Sequence, residues 1–284
     1  MLLTFDDIVF SIILVFPIAL FYTLAKKHWI DKNLKTAFWQ GIFSGVIAIL
    51  LVRAVYTSIE LYLGGELRSF LSSPREWYII LIACIGIVGF VEEGFKALAA
   101  HIVCCINKND GFRPTFVFMS FAGSALSFSF LENINYYYAF GSSVVLPRVL
   151  VSSIAHLAFS CICSYFSAKA FKLQKALIKT SFFLNLGLLS ASVLHGIFDY
   201  MLIRFPFFTI SGFIIALLSF FLFLIYEIWI EALKNDLPLL GELSVCSNCR
   251  ALTVERIRFC PFCGNRVKKI DTLPTVIKEI NSNQ

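Results

Sequence analysis

Charge is scarce in this chain. Of 284 residues, 24 are Lys or Arg and 18 are Asp or Glu, 15% together, where an average soluble domain carries about a quarter. With 58% hydrophobic residues and a mean hydropathy of +0.81, this excludes one large water-soluble core. Also lacking is a short apolar stretch followed by a small-residue cleavage site, so the first apolar segment reads as a retained helix rather than a removable signal. No internal repeat is found, which withdraws support from transporter folds built on inverted repeats. What recurs instead are apolar runs of about 20 residues, the length of a membrane-spanning helix. The 31 Phe residues suit a lipid-facing surface.

The expected fold class is therefore all-α, a polytopic transmembrane helix bundle of about seven spans. These lie at roughly 8–25, 38–63, 77–106, 115–139, 148–171, 181–203 and 206–232. Eleven Lys and Arg residues, from Lys26 to Lys234, fall in the connections on one side, and four (Arg68, Arg75, Arg148 and Arg204) on the other. The positive-inside rule then puts the N-terminus outside and the C-terminus in the cytoplasm of a multi-pass cell-membrane protein, by expectation a prokaryotic inner membrane. Residues 1–232 form the bundle, 241–270 a small cytoplasmic module and 271–284 a tail.

The small module is defined by Cys246-x-x-Cys249 and Cys260-x-x-Cys263. Each pair offers two thiolates on a tight turn, and two such turns complete a tetrahedral site with no open position. A segment this short buries too little apolar surface to fold alone, so structural Zn²⁺ is the expected cofactor. Two disulfides are the alternative, disfavoured by a cytoplasmic location. The other five cysteines sit in apolar helices and read as packing residues.

Ionisable residues inside the spans carry the functional signal. The third span holds Glu92, Glu93 and Lys96, the fourth Glu132 and Asn133, the fifth His156, and the sixth His195 and Asp199. Unpaired charge at such depth costs several kcal/mol, on the order of 3 or more, so these groups face the bundle interior. Glu92–Lys96 and His195–Asp199 each lie four apart and share a helix face. Four carboxylates against Lys96, and Arg53 if it reaches them, leave a negative excess. Protons, charged histidines or a metal cation must neutralise it, and each outcome generates acid–base chemistry. Taken singly, Glu92 or Glu93 reads equally as an ion-pair partner of Lys96, Asn133 as interhelical glue, and Arg53 as structural or snorkelling. Counting helical rise from Arg148 and Arg204 puts His156 and His195 roughly 12–14 Å below the outer surface. Glu92 fits that level poorly unless its span is irregular near Gly86 and Gly89.

Glu92-Glu93-x-x-Lys96, Phe128-x-x-x-Glu132-Asn133, the histidine following Arg148, and His195-x-x-x-Asp199 together resemble the PrsW family of intramembrane proteases. That family is distantly similar to the CAAX prenyl-protease and bacteriocin-processing group. The resemblance covers about residues 85–203, and Glu132 stands where the related FxxxH motif has histidine. It implies hydrolysis of a peptide bond in a membrane-tethered protein, anti-sigma factors among the family's substrates. Under it, Glu92 or Glu93 activates water, and the other Glu or Glu132 holds the water or protonates the leaving amine. His195 and His156, with Asn133, donate to the oxyanion, Asp199 orients His195, and Lys96 sets carboxylate protonation. A catalytic Zn²⁺ on a HisxxxAsp-plus-Glu set is an alternative to the favoured metal-free route. The competing functional classes are a proton- or ion-coupled transporter and a non-catalytic scaffold whose ribbon recruits a partner. For the ribbon, contact with a cytoplasmic protein is expected first, anionic lipid second, and nucleic acid last.

Overall fold

The computed structural model describes residues 5–26, 32–107, 110–173, 177–205 and 211–236, and, in the cysteine-rich region, 243–246, 248–249, 252–254, 260 and 263–265. The tail at 271–284 and the basic residues Arg256, Arg258, Arg266, Lys268 and Lys269 lie outside the described residues. Among the described residues are seven long helical rods. They are α1 (Phe5–Lys26), α2 (Lys32–Leu63), a composite third rod, α6 (Pro114–Phe140), α7 (Val145–Lys172), α8 (Leu177–Arg204) and α9 (Ser211–Asp236). A short α3 (Leu67–Ser72) follows α2. The third rod joins α4 (Trp77–Ala83), a π-helical turn (Cys84–Gly89) and α5 (Phe90–Ile106).

The shortest rod, α1, has 22 residues, about 33 Å at 1.5 Å per residue and enough to cross the hydrocarbon core. Five rods combine sufficient length with mean hydropathies of 1.4 to 2.0. Large apolar side chains such as Phe43, Leu50, Ile82, Ile102 and Phe223 cover the outside of the bundle, as lipid contact requires. The expected multi-pass helical bundle is the architecture observed, and the span boundaries agree closely. The last rod runs to Asp236 rather than 232, because the Asp236 carboxylate is buried against Arg113 (3.0 Å) and Thr115 at the start of α6.

Helix α6 is the central element, buried all round from Pro114 to Ser129. Its serines and Gly123 meet Gly41 and Gly45 of α2, where a Cβ at either α2 glycine would strike the backbone of Ser120 or Ser124. Small residues that let backbones touch are how helices pack without a hydrophobic drive. A second close approach positions the functional groups. Gly196 of α8 lies on the backbone of Ile85, and Gly89 lies on Ser192, so α8 rides directly on the π-helical turn. That turn is the irregularity expected near Gly86 and Gly89. Its wider, i→i+5 winding re-aims the residues that follow, Glu92 and Glu93, toward His195.

The cysteine-rich region contains two short antiparallel strands, β1 (Leu243–Val245) and β2 (Leu252–Val254), with Ser244 opposite Thr253.

Candidate active site

The first turns of α5 carry Glu92, Glu93 and Lys96, which are 4%, 1% and 1% exposed. Opposite them stand Glu132 and Asn133 on α6, His156 on α7, and His195 and Asp199 on α8. The structure gathers all these side chains into one hydrogen-bonded cluster between four spans.

Glu93 is the most heavily engaged acid. Its Oε1 accepts from Lys96 Nζ at 2.5 Å and from His195 Nδ1 at 2.8 Å. Lys96 also donates to His156 Nδ1 at 3.1 Å. An ammonium has only donors, so His156 Nδ1 is the acceptor and its Nε2–H donates to Glu132 Oε2 at 2.8 Å. Glu132 is further paired with Arg148 at 3.0 Å. Glu92 differs from both in having no Lys or Arg partner among the described residues: Oε1 accepts the Tyr56 hydroxyl at 2.8 Å, and Oε2, like Glu93 Oε2, is buried with no hydrogen-bond partner. His195 Nε2 lies 3.8 Å from Glu92 Oε2 and 3.4 Å from Asp199 Oδ2. The His195 ring is held flat by Phe159 and edge-on to His156, each centroid 5.0 Å away.

A cavity of about 680 Å³ opens beside this cluster. Glu92, Glu132 and Asp199 line it with Tyr56, Phe128, Arg148, and residues of α3. His156 and His195 stand behind these walls.

Three points that the sequence left open or misplaced are sharpened by the structure. Arg53 does not reach the cluster; it lines the cavity as an exposed side chain, and Arg148 supplies the second cation. Arg148 is not a surface marker either. It lies within α7, 18% exposed, bound to Glu132 and to Asn133 Oδ1 (3.2 Å) and resting on the Tyr136 ring. Depths counted from it therefore understate the distance to the surface. Asn133, finally, is occupied by Arg148, Ser129 and Ser153 rather than turned toward the cavity. Tyr56 and Arg148 are the site residues the sequence did not single out. The i+4 ridge Arg148–Ser152–His156 was a usable signal for Arg148, whereas Tyr56 had none.

With Arg148 in place of Arg53, four carboxylates face two cations and the cluster keeps two excess negative charges. Glu92, His156 and His195 offer ligand atoms within 4.8 Å of one another. Two histidines and a glutamate match a known catalytic zinc set. Each histidine also has a carboxylate behind it, Glu93 or Glu132, as metal-binding histidines commonly do. The donor set thus fits a divalent cation.

In the cysteine-rich region none of the four thiols forms a disulfide, and the Sγ–Sγ distances are 3.7 Å for Cys246–Cys263 and 3.5 Å for Cys249–Cys260. Four thiolates about 2.3 Å from a tetrahedral zinc stand roughly 3.8 Å apart, so the cluster is shaped for a metal rather than for disulfides. Gly264 adopts φ 73° and closes the second turn. A hydrogen bond from the Asn265 backbone brings the Cys263 thiol down to about 6, well below the usual thiol range. The backbone at Cys249 lowers Cys246 in the same way.

Fold and site together define a class: a multi-pass helical membrane protein with an acid–histidine–lysine centre enclosed between its spans. The model of the PrsW family of intramembrane metalloproteases matches residues 31–226. The chain belongs to that family, and is accordingly a peptidase of the membrane. Protease PrsW of Clostridioides difficile (strain 630) is 27% identical over 196 residues, 66% of this chain and 79% of that protein. Protease PrsW of Shouchella clausii (strain KSM-K16) is 24% identical over 183 residues, 64% of this chain and 76% of that protein. No solved structure matches significantly. The four-cysteine region lies beyond the matched residues.

Proposed function

We propose that this protease hydrolyses membrane-tethered proteins by water activated at Glu92. The observation that carries this reading is the free, buried Oε2 of Glu92 at the cavity wall, while Glu93 and Glu132 are each tied to a cation. A general base needs an unoccupied lone pair facing the water, and among the two adjacent glutamates Glu92 has it at the cavity. Tyr56 holds the other oxygen and so fixes the carboxylate plane. Water between Glu92 Oε2 and His195 Nε2 gives its proton to Glu92, and the hydroxide adds to the scissile carbonyl carbon. As the C–N bond breaks, Glu92 returns the proton to the leaving amine, leaving a new carboxyl terminus. Glu93, paired with Lys96, accepts a hydrogen bond from His195 Nδ1–H and orients the ring. Asp199 faces the other edge of that ring, and His156 with Arg148 positions Glu132. A transporter would need a continuous polar path, and the family match favours the hydrolase.

The metal question has a specific second reading. A divalent cation held by Glu92, His156 and His195 would act as a Lewis acid and offset the two excess charges. Against it, both His156 ring nitrogens are engaged, Nδ1 by the Lys96 ammonium, which makes protons the favoured counter-charge. The orientation proposed has the N-terminus outside, the cavity opening on that side, and the ribbon at 241–270 in the cytoplasm, stabilised by zinc and contacting a cytoplasmic protein.

Purified chain in detergent should cleave a membrane-tethered reporter and place one solvent ¹⁸O in the new carboxyl terminus. Absence of cleavage would overturn the reading. Metal content measured on a Cys246→Ser/Cys260→Ser variant separates the two charge balances. Cleavage without bound metal supports the proton balance; activity proportional to one bound ion supports the other.

A further inference from the structure

Among the described residues, one cation of the cavity, Arg53, has neither an ion pair nor a hydrogen bond nor an aromatic ring against it. Its walls include Arg53, Arg68 and Arg148. Arg148 is committed to Glu132 at 3.0 Å. Arg68 lies over the Phe140 ring at 3.6 Å, beside α3. Arg53 has no hydrogen bond or ion pair among the described residues, although Glu60 lies on the same wall of α2. The Glu60 carboxylate instead accepts the Leu67 backbone N–H at 3.2 Å and anchors α3. Arg53 is ten residues before the end of α2 at Leu63, about 15 Å along the helix, and inside the span by that measure. An unpaired guanidinium at such depth is costly, and residues of this kind face a partner or a pathway.

We propose that Arg53 is a specificity-determining residue that binds an Asp or Glu side chain of the substrate, on the membrane-deep side of the scissile bond. This rests on the proteolytic reading above. Arg53 precedes Tyr56 by three residues, about 4.5 Å of helical rise away from the cavity mouth, and Tyr56 touches Glu92. An extended substrate advances about 3.3 Å per residue, so the recognised acid falls about one to two residues from the cleaved bond. Guanidinium and carboxylate form paired hydrogen bonds, and Ile49 and Val52 stand beside Arg53 on the cavity wall.

The test uses the full chain and tethered reporters that differ only in Asp, Asn or Lys at each position flanking the cleaved bond. Wild type should prefer Asp over Asn at one membrane-deep position by about tenfold in kcat/KM, the factor equivalent to 1.4 kcal/mol. Arg53→Lys should retain the preference, Arg53→Gln should bring the Asp/Asn ratio to about one, and Arg53→Glu should favour Lys. A preference unchanged in Arg53→Gln, or no acidic preference in wild type, overturns the proposal and leaves the protease reading standing if a reporter is cut. If no reporter is cut, the protease reading fails and this one with it.

Discussion

Gly196→Ala tests whether the close approach of α8 to the π-helical turn sets the catalytic geometry. A Cβ at residue 196 would lie 2.5 Å from Ile85 N and 2.6 Å from Ile85 Cγ1, whereas non-bonded heavy atoms settle near 3.5–4.0 Å, roughly 1 Å further. Both sides of the clash are helical, so α8 must move outward by about that amount. His195 Nδ1 is 2.8 Å from Glu93 Oε1, and the same shift takes it beyond hydrogen-bond range. A misplacement of about 1 Å can cost on the order of 100-fold in rate. Overpacking would remove only about 1–3 kcal/mol of stability. The assay is reporter cleavage alongside thermal unfolding in detergent. Gly94→Ala serves as control, because Gly94 follows Glu93 in sequence yet has open space around its Cβ position. The expected result is a folded Gly196→Ala protein about 100-fold slower and a Gly94→Ala protein within a few-fold of wild type. A Gly196→Ala protein with wild-type kcat/KM would refute the reasoning.

Tyr56→Phe removes the hydroxyl that fixes Glu92; a hydrogen bond to a charged group contributes about 1.5–3 kcal/mol, so kcat should fall at least about tenfold with the fold intact, and an unchanged kcat would refute the role. Lys96→Met strands the Glu93 carboxylate and should destabilise the bundle by about 3–5 kcal/mol, read as a lower unfolding midpoint in detergent; adding Glu93→Gln should restore part of the loss. Zinc on the ribbon requires thiolates. With the metal-free Cys263 thiol held down to about 6, that ligand is already ionised at neutral pH, and bound zinc keeps it ionised to lower pH still. Zinc retention followed with a chelating dye should therefore be complete at neutral pH and decline only below about 6, and absence of zinc at neutral pH would contradict the ribbon.

Much of this protein was legible because lipid simplifies the code. Apolar runs mark spans, so the rod from Trp77 to Ile106 was located to the residue. Any ionisable group inside a span is costly enough to demand a partner, and that exposed Glu92, Glu93, Glu132, His156, His195 and Asp199 together. Arg148 was harder to see, because it follows Pro147 and lies near Gly141, which together look like a loop. Proline is tolerated in the first turn of a helix, and α7 begins at Val145, so that segment is already helical. Tyr56 was hidden for another reason. A tyrosine near a span end is ordinary in membrane proteins, and its meeting with Glu92 depends on the α2–α5 packing rather than on any local pattern. The choice between Glu92 and Glu93 was equally closed to sequence. The two are neighbours in the chain, and only the placement of Lys96 and His195 separates a paired acid from a free one.

The most direct measurement of the central claim is single-turnover cleavage of a tethered reporter by Glu92→Gln, with reporter binding measured on the same protein. General-base catalysis contributes about 10²–10⁴-fold, so the account predicts retained binding and a cleavage rate at least about 100-fold below wild type. A Glu92→Gln protein that cleaves at the wild-type rate would contradict it.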